Sequence, residues 1–322
     1  MKSWKTLLAG LAACAIAATA SAQQYPSRTI KLIVPFAAGG STDIIARLTA
    51  EQLRKELGQT VVVENVGGAA GALGTMQGKN AQPDGYTLLI ATVSTMIVYP
   101  AAHPKPQYTL DDFVPITNIA SMPNIMTVTP SFPAKDLKEF IEVLKKNPGK
   151  YSYATSGVGS INHMLGESFQ AYSGTKLVHI PYKGSGPAMT DVMGGQVDIL
   201  FDQFPSSKNY VDNGKLKAIA AISPQKIPGY PNVMTMEDAG LKGFTDEAWY
   251  GLLAPKGTPA SVVATITEAM KKALANPELR SRLEGVGARP VGNSPQDFAA
   301  QIKSEQERMK KLVKDRNIQL SD

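Results

Sequence analysis

The chain has 322 residues, of which 43% are hydrophobic, and its formal net charge is +6. This length predicts about two domains, and the apolar content is enough to form buried cores without disulfides or metals. The basic residues are dispersed rather than gathered with aromatic residues into a patch, which argues against a nucleic-acid-binding protein.

Residues 1–22 are predicted to be a signal peptide. Lys2 and Lys5 precede an apolar stretch, and Ala20-Ser21-Ala22 forms a small-x-small cleavage site. The alternative is a lipoprotein signal, because the residues up to Cys14 resemble a lipoprotein box. Export to an oxidising compartment is therefore expected. Cleavage after residue 22 removes Cys14, the only cysteine, so we expect no disulfide and no thiol chemistry in the mature protein.

Strands and helices alternate in the first third of the chain. Ile30–Val34 is predicted to be a strand, and apolar residues at helical spacing then mark one face of a helix that ends at Gly58. Ser41 or Thr42 is expected to cap the start of this helix. Two more strands, with a helix between them that follows a glycine- and alanine-rich loop, are predicted at Thr60–Glu64 and Tyr86–Thr92.

The same alternation continues to the end of the chain, which predicts parallel sheets in an α/β fold. Helices are expected around 137–144 and 162–173, and after Thr258-Pro259 and Ser294-Pro295. Strands are expected at Tyr151–Ala154, Lys176–Ile180, Val197–Phe201 and Lys217–Ile222. No long linker interrupts the pattern, so we expect two lobes with chain crossings near Met122–Asn124 and near Ala248. Lobe 1 would comprise residues 26–122 and 248–322, and lobe 2 residues 123–247.

Three glycine-rich loops are the strongest candidates for a binding site. In the first loop, Gly39 and Gly40 precede a helix and let the backbone approach a ligand closely. The free N–H groups and the positive dipole end of such a helix start form a carboxylate or phosphate site. Loops of the same style recur at Thr155–Ser160 and Tyr182–Ala188. The sequence therefore predicts a small anion held by backbone groups rather than by charged side chains.

Catalytic, metal and cofactor patterns are weak. The chain has three histidines and no Gly-x-Ser-x-Gly elbow, so it lacks the signature of that class of serine hydrolase. His163 and Glu167 could share a metal, but without an evident third ligand a structural or ligand-facing histidine is favoured. The run from Gly157 begins like a dinucleotide fingerprint, yet Asn162 replaces its third glycine. We therefore expect no enzyme, metal or cofactor, and disfavour a Rossmann-type enzyme.

Two polar residues each allow two roles. Asp202 follows a predicted strand at its carboxyl end, where open α/β sheets place ligands. It either accepts a hydrogen bond from a ligand amino group or caps the next segment. Lys183 either joins the site beside Tyr182 or faces solvent. The residues alone leave both pairs of alternatives open.

Six motifs, in order along the mature chain, carry a family resemblance. They are Tyr25–Ile30, Val34–Asp43, Gln82–Thr87, Ser156–His163, Pro181–Ala188 and Leu252–Pro259. The set resembles the periplasmic solute receptors of the tripartite tricarboxylate transporter family, also called the Bug family, over essentially the whole mature chain.

The resemblance implies a two-lobed, type II periplasmic-binding-protein fold without catalysis, with a ligand cleft between the lobes. Its ligands would be small carboxylates: amino acids, di- and tricarboxylates, or aromatic acids. The ligand-binding residues that it implies are Phe36, Ala38, Gly39, Ser41, Asp43, Ala69, Ser94, Ser156, Gly157, Gly159, His163, Tyr182, Lys183, Gly184 and Asp202. One departure is Val66-Gly67-Gly68, where the family often has Arg-Pro-Gly, so the pocket wall around Ala69–Gly71 leaves the ligand's identity open.

The resemblance also implies membrane transporter subunits as partners. We expect a monomer in the periplasm that binds a small carboxylate and no nucleic acid. A ligand-sensing subunit of a signalling system would have the same fold and is the alternative function.

Overall fold

The computed structural model describes residues 25–103 and 105–315, and the predicted signal peptide with Cys14 lies outside these residues. The strands are β1 (Ile30–Val34), β2 (Val61–Asn65), β3 (Thr87–Thr92), β4 (Phe113–Val128), β5 (Ser152–Thr155), β6 (Val178–Pro181), β7 (Ile199–Gln203), β8 (Lys217–Ile222), β9 (Met234–Thr235), β10 (Glu247–Pro255) and β11 (Arg289–Pro290). The α-helices are α1 (Ser41–Leu57), α2 (Ala72–Lys79), α3 (Tyr99–Ala102), α4 (Leu137–Lys146), α5 (Ile161–Ser173), α6 (Ser185–Met193), α7 (Phe204–Asp212), α8 (Ala260–Ala275), α9 (Pro277–Gly285) and α10 (Pro295–Asp315). Short 3₁₀ turns lie at Ala69–Gly71 and Leu110–Asp112, and a π-helical turn at Ser94–Val98 precedes α3.

The strands form two groups that share β4. In the first strand group, β1 pairs in parallel with β2 and β3, and β10 pairs antiparallel with β3 and with residues 113–123 of β4. In the second strand group, residues 124–128 of β4 pair antiparallel with β7 and β8, while β5 pairs in parallel with β6 and β7. The predicted α/β class is confirmed, and parallel pairing holds for β1–β3 and β5–β7. Among residues 25–103 and 105–315, no helix is both long and apolar enough to cross a membrane.

Strand β4 is the main element that the sequence pattern misses. Pro115 and Pro123 lie within it, and proline normally argues against a central strand because it cannot donate to the ladder. Pro115 faces Leu253 next to a register shift, and Pro123 faces Glu247 where β4 changes partners. The missing N–H groups therefore fall at irregular points of the pairing. The division into lobes 26–122 plus 248–322 and 123–247 stays a prediction.

The helices cover the strand groups with the apolar faces that their spacing predicts. In α1, Ala46, Ala50 and Leu53 are buried, and the helix ends at Gly58 in the left-handed conformation, as expected. On the second strand group, buried Phe140 of α4 meets Phe169 of α5 with ring centroids 5.8 Å apart. Helix α10 packs Phe298 edge-on against Trp249 of β10 at 5.2 Å.

The expected cap of α1 is wrong. Gly40 is the N-cap residue, and no side chain in the described part of the chain caps the first turn. Ser41 is the first helical residue, and its hydroxyl instead donates to Ser206 at 2.8 Å. The backbone N–H groups at the start of α1 are therefore without a side-chain cap.

Candidate functional site

Four helices begin at one small cavity, called here the inner cavity. Their N-cap residues are Gly40 for α1, Ser160 for α5, Gly184 for α6 and Gln203 for α7. The cavity has a volume of about 20 Å³, which is room for about one water molecule. Its walls come from both strand groups and consist of Phe36, Gly40, Thr42, Thr92, Val93, Ser94, Ser156, Ile161, Asn162, Ser185, Gln203, Ala248, Trp249 and Tyr250. Converging helix starts make this a place that favours negative charge.

A wider space, called here the outer cleft, has a volume of about 580 Å³. Its walls are mostly apolar and consist of Ala37, Ala69, Ala70, Gly157, Val158, Pro181, Tyr182, Lys183 and Pro187. The Tyr182 hydroxyl donates to Asp191 at 2.6 Å, and burial is the largest cause that raises the pKa of this phenol to about 12. Lys183 is exposed and also lines this cleft beside Tyr182, so both alternatives for this residue stay open.

The two strand groups touch directly around the inner cavity. The N–H of Ala37 donates to the carbonyl of Lys183 at 3.1 Å, and the N–H of Ile161 donates to the Ser94 hydroxyl at 3.0 Å. Gly186 lies so close to Ala38 that a Cβ atom on it would be 2.1 Å from the Ala38 carbonyl oxygen. Glycine is therefore required at 186 for this approach, which is the physical reason for small residues in the loop.

Asp202 is a buried carboxylate below the inner cavity. It accepts from Ser185 at 2.6 Å, from Ser206 at 2.5 Å and from Asn162 at 3.4 Å. Burial raises the pKa of Asp202, and these hydrogen bonds counteract part of that rise. It forms no ion pair within the described chain. Asp202 thus binds hydroxyl groups at the starts of α6 and α7, and it is separated from the inner cavity by Ser185 and Asn162.

Three of the backbone N–H groups that were expected to bind the ligand instead donate to side chains of their own loops or of the helices that follow. The N–H of Gly157 donates to the Thr155 hydroxyl at 3.2 Å, and that of Gly159 donates to Nδ1 of His163 at 3.1 Å. The N–H of Gly39 donates to the Asp43 carboxylate at 3.2 Å. These three glycines therefore shape the loops, and the expectation that their N–H groups are free is corrected.

Asp43 supports the first loop from behind. Its carboxylate accepts from Arg47 at 3.0 Å and from Asn65 at 3.0 Å, and Asn65 also donates to the Phe36 carbonyl at 3.1 Å. Burial alone would raise the pKa of Asp43, but the hydrogen bonds from Arg47, Gly39 and Asn65 hold it below its usual value.

His163 belongs to a stack of rings beside the second loop. Its ring lies 4.1 Å from that of His179, and its Nε2 is 3.9 Å from Glu167. The Tyr153 hydroxyl donates to Glu167 at 2.5 Å, and burial is the main cause that raises the pKa of this phenol. Within residues 25–103 and 105–315, no three His, Cys, Asp or Glu side chains are grouped to hold a metal ion.

The predicted site residues fall into five sets. Those on the inner cavity are Phe36, Ser94 and Ser156, and those on the outer cleft are Ala69, Gly157, Tyr182 and Lys183. Those in hydrogen bonds beneath or across the inner cavity are Ser41 and Asp202. Those at the contact between loops are Ala38, Gly39 and Gly184, and those that support loops are Asp43, Gly159 and His163.

Three residues in the wall of the inner cavity belong to strands and were not predicted from the sequence. Gln203 follows Asp202 at the end of β7, and Trp249 and Tyr250 lie on β10, the antiparallel strand between β3 and β4. The position of Gln203 at the carboxyl end of a strand is a usable signal. The two aromatic residues look like ordinary core residues in the sequence, and both are nearly fully buried.

Comparison with known proteins identifies the same family from two directions. The profile described as "Tripartite tricarboxylate transporter family receptor" matches residues 45–318. Protein BugT of Bordetella pertussis is 35% identical over 312 residues, which is 96% of this chain and 96% of the relative. The UPF0065 protein in the tcbD-tcbE intergenic region of Pseudomonas sp. strain P51 is 35% identical, over 96% of this chain and 93% of the relative.

Solved structures share the whole fold. A periplasmic transporter is 51% identical with a TM-score of 0.90, over 92% of this chain and 100% of that one. R. palustris Rpa4515, described with adipate, is 31% identical with a TM-score of 0.88, over 91% of this chain and 99% of that one. MatC of Rhodopseudomonas palustris, described with bound malate, is 34% identical with a TM-score of 0.85, over 90% of this chain and 100% of that one.

Proposed function

Because the chain belongs to the family of tripartite tricarboxylate transporter receptors, we propose that it captures a small carboxylate in the periplasm and delivers it to the membrane subunits of such a transporter. The similar structures with adipate and malate support a carboxylate as the ligand class. The proposed role is binding without turnover.

The observation that carries this proposal is that uncapped helix starts meet at the inner cavity, and that none of the residues lining it is positively charged. The first turns of α1 and α6 have no side-chain cap, and Gly40 and Ser185 place both at the inner cavity. Unpaired N–H groups with the positive end of the helix dipole can replace the water around a carboxylate. A ligand bound in this way needs no buried arginine or lysine.

The size of the inner cavity implies movement on binding. A volume of about 20 Å³ is too small for a carboxylic acid of several carbons, so the walls must separate to admit it. The two strand groups share β4, and β10 begins beside the point where β4 passes from one group to the other, with Glu247 facing Pro123. We propose that these strands act as the hinge between lobes 26–122 plus 248–322 and 123–247, and that ligand shifts the equilibrium toward closure.

A thermal-shift screen of the mature chain against a library of carboxylates tests the proposal. A ligand at a hundred times its Kd adds about 2.7 kcal/mol to the free energy of unfolding, so a true ligand raises the Tm. The matched amide of each acid serves as a control and should leave the Tm unchanged. A library without any stabilising acid, or conversion of a bound acid to product, would overturn the proposal.

A further inference from the structure

Three serines line the inner cavity, and the hydroxyl hydrogens of two of them, Ser156 and Ser185, are turned away from it. The Ser156 hydroxyl donates to Oδ1 of Asn162 at 2.7 Å, and the Ser185 hydroxyl donates to Oδ1 of Asp202 at 2.6 Å. Both serines line the cavity and are almost fully buried. Since a hydroxyl has one hydrogen, each serine offers the cavity only its lone pairs.

The direction of the first of these hydrogen bonds is fixed by the surroundings of Asn162. Its Nδ2 donates to the Phe201 carbonyl at 2.5 Å and lies 3.4 Å from the Asp202 carboxylate. Rotation of the amide by half a turn would place Oδ1 against these two acceptors. Oδ1 therefore faces Ser156, and Ser156 must be the donor.

The direction of the second is fixed by a row of donors that ends at Asp202. The Ser41 hydroxyl donates to Ser206 at 2.8 Å, and the Ser206 hydroxyl donates to Asp202. With Ser185 and Asn162 also donating, the Asp202 carboxylate accepts on both oxygens. The Ser185 hydrogen is therefore held by Asp202 and is not available to a ligand.

A third hydroxyl follows the same rule. The Tyr250 hydroxyl donates to Oε1 of Gln203 at 3.2 Å, and Nε2 of Gln203 donates to Oδ1 of Asn124 at 3.1 Å. Nδ2 of Asn124 in turn donates to the Asp246 carbonyl, so this chain also has one direction. Three wall hydroxyls of the inner cavity thus accept and do not donate.

We propose that the ligand carries a hydrogen-bond donor, a hydroxyl or an ammonium group, beside its carboxylate. This inference rests on the proposed function, because it names the subclass of carboxylate that the same site selects. The carboxylate is bound by N–H groups at the helix starts, and the donor faces Ser156 and Ser185. An acid without the donor leaves these buried lone pairs unpaired, and sites built to bind a donor discriminate strongly against such analogues.

Calorimetry with matched acids tests the proposal. The probes are succinate, L-malate and L-aspartate as one series, and glutarate, 2-hydroxyglutarate and L-glutamate as another. In the series that binds, we expect a donor-bearing acid to have a Kd at least tenfold lower than the plain acid. A plain acid that binds as tightly overturns this inference while leaving the proposed function intact. Absence of binding by every carboxylate tested overturns both.

Variants of the inner cavity test whether its serine hydroxyls select the donor-bearing acids. Ser185→Ala and Ser156→Ala should reduce the ratio between the plain and donor-bearing Kd values by tenfold or more, because each removes an acceptor. Asp202→Asn should leave the ratio nearly unchanged, because Ser185 and Nδ2 of Asn162 both donate to Oδ1 and keep an oxygen there, while the new amide nitrogen faces Ser206. Asp198→Asn is the matched control, because Asp198 binds Ser152 away from the cavity and the ratio should stay unchanged.

The ratio of the Kd values for the plain and the donor-bearing acid is the measured quantity, because a variant that only damages the structure weakens the binding of all the acids alike. If Asp202→Asn does not fold, the two serine variants decide the question. An unchanged ratio in both serine variants would overturn the assignment of the donor to this wall.

Discussion

The helix starts after Gly39 and Gly159 share one feature and differ in another. In both, the third helical residue reaches back to the glycine: Asp43 accepts from the N–H of Gly39, and His163 accepts from that of Gly159. The N-cap residues differ. Gly40 has no side chain to cap α1, whereas Ser160 accepts from the N–H of His163 at 3.2 Å and caps α5. Two loops that look alike in composition therefore offer different numbers of free donors to a ligand.

This difference shows that the N-cap residue, rather than the number of glycines in the loop, decides how many N–H groups at a helix start are free for a ligand. A glycine at the N-cap leaves them free. The side chain that supports each loop accepts from one N–H group, which is then not available to a ligand, but it also fixes the loop in place. We expect changes at the contact of the first loop to affect binding most, and changes within the supports to affect stability.

The largest expected effect comes from Gly186→Ala. A Cβ at 186 would lie 2.1 Å from the Ala38 carbonyl oxygen, so the first loop must move away from α6. We expect carboxylate affinity to fall roughly 100-fold, which is about 2.7 kcal/mol, in calorimetry. Gly194→Ala in the same helix region is the matched control, because its Cβ would have 3.4 Å to the nearest atom. Equal affinity in the two variants would contradict the role of this contact.

The support of the second loop is tested by Thr155→Val. This change removes a fully buried hydroxyl that accepts from the Gly157 N–H and is also hydrogen-bonded to Nε2 of His179 at 2.7 Å, so unfolding by urea should show a loss of about 1–3 kcal/mol. Thr127→Val is the matched control. The Thr127 hydroxyl is also fully buried but has no hydrogen-bond partner among residues 25–103 and 105–315, so its removal should be neutral or stabilising. A similar loss in both variants would show that packing, rather than the hydrogen bond, dominates.

The support of the first loop should depend on pH through Asp43. The pKa of Asp43 is lowered in the folded protein by Arg47, Gly39 and Asn65, against the effect of burial. The contribution of Asp43 to the free energy of unfolding is therefore complete above its pKa in the unfolded chain, about 3.9. This contribution is lost as the pH falls through the lower pKa that Asp43 has in the folded protein. At pH 6 we expect Asp43→Asn to be less stable by about 1–3 kcal/mol, with the difference closing in acid.

Denaturant titrations of the wild type and Asp43→Asn between pH 3 and pH 6 measure this dependence. Asp111→Asn, in an exposed turn, controls for the loss of one charge. A difference that stays constant across this range would contradict the assignment to Asp43.

The smallest effect is expected for Lys183→Ala. Its contact with the first loop uses the backbone carbonyl, which the substitution keeps, and its side chain is exposed. Screening at physiological salt weakens an exposed charge further, so the Kd should change less than about threefold. Abolished binding would show that a cation, and not backbone groups, holds the carboxylate.

The alternation of strands and helices could be predicted because local spacing determines it. The spacing of Ala46, Ala50 and Leu53 is enough to place α1, and Gly58 its end. β4 could not be predicted in this way, because its prolines are tolerated only where the partner strand shifts register or ends. Whether an N–H such as that of Gly159 is free depends on the direction of a later side chain, which loop composition does not encode.

The position of Trp249 gives the molecule an optical property. The sequence has two tryptophans, at positions 4 and 249, and removal of the predicted signal peptide leaves Trp249 alone. Trp249 lines the inner cavity, and its Nε1 donates to Glu305 at 2.7 Å. The tryptophan fluorescence of the processed chain, as distinct from that of its tyrosines, therefore comes from one residue at the wall of the cavity, so capture and release can be followed in real time without a label.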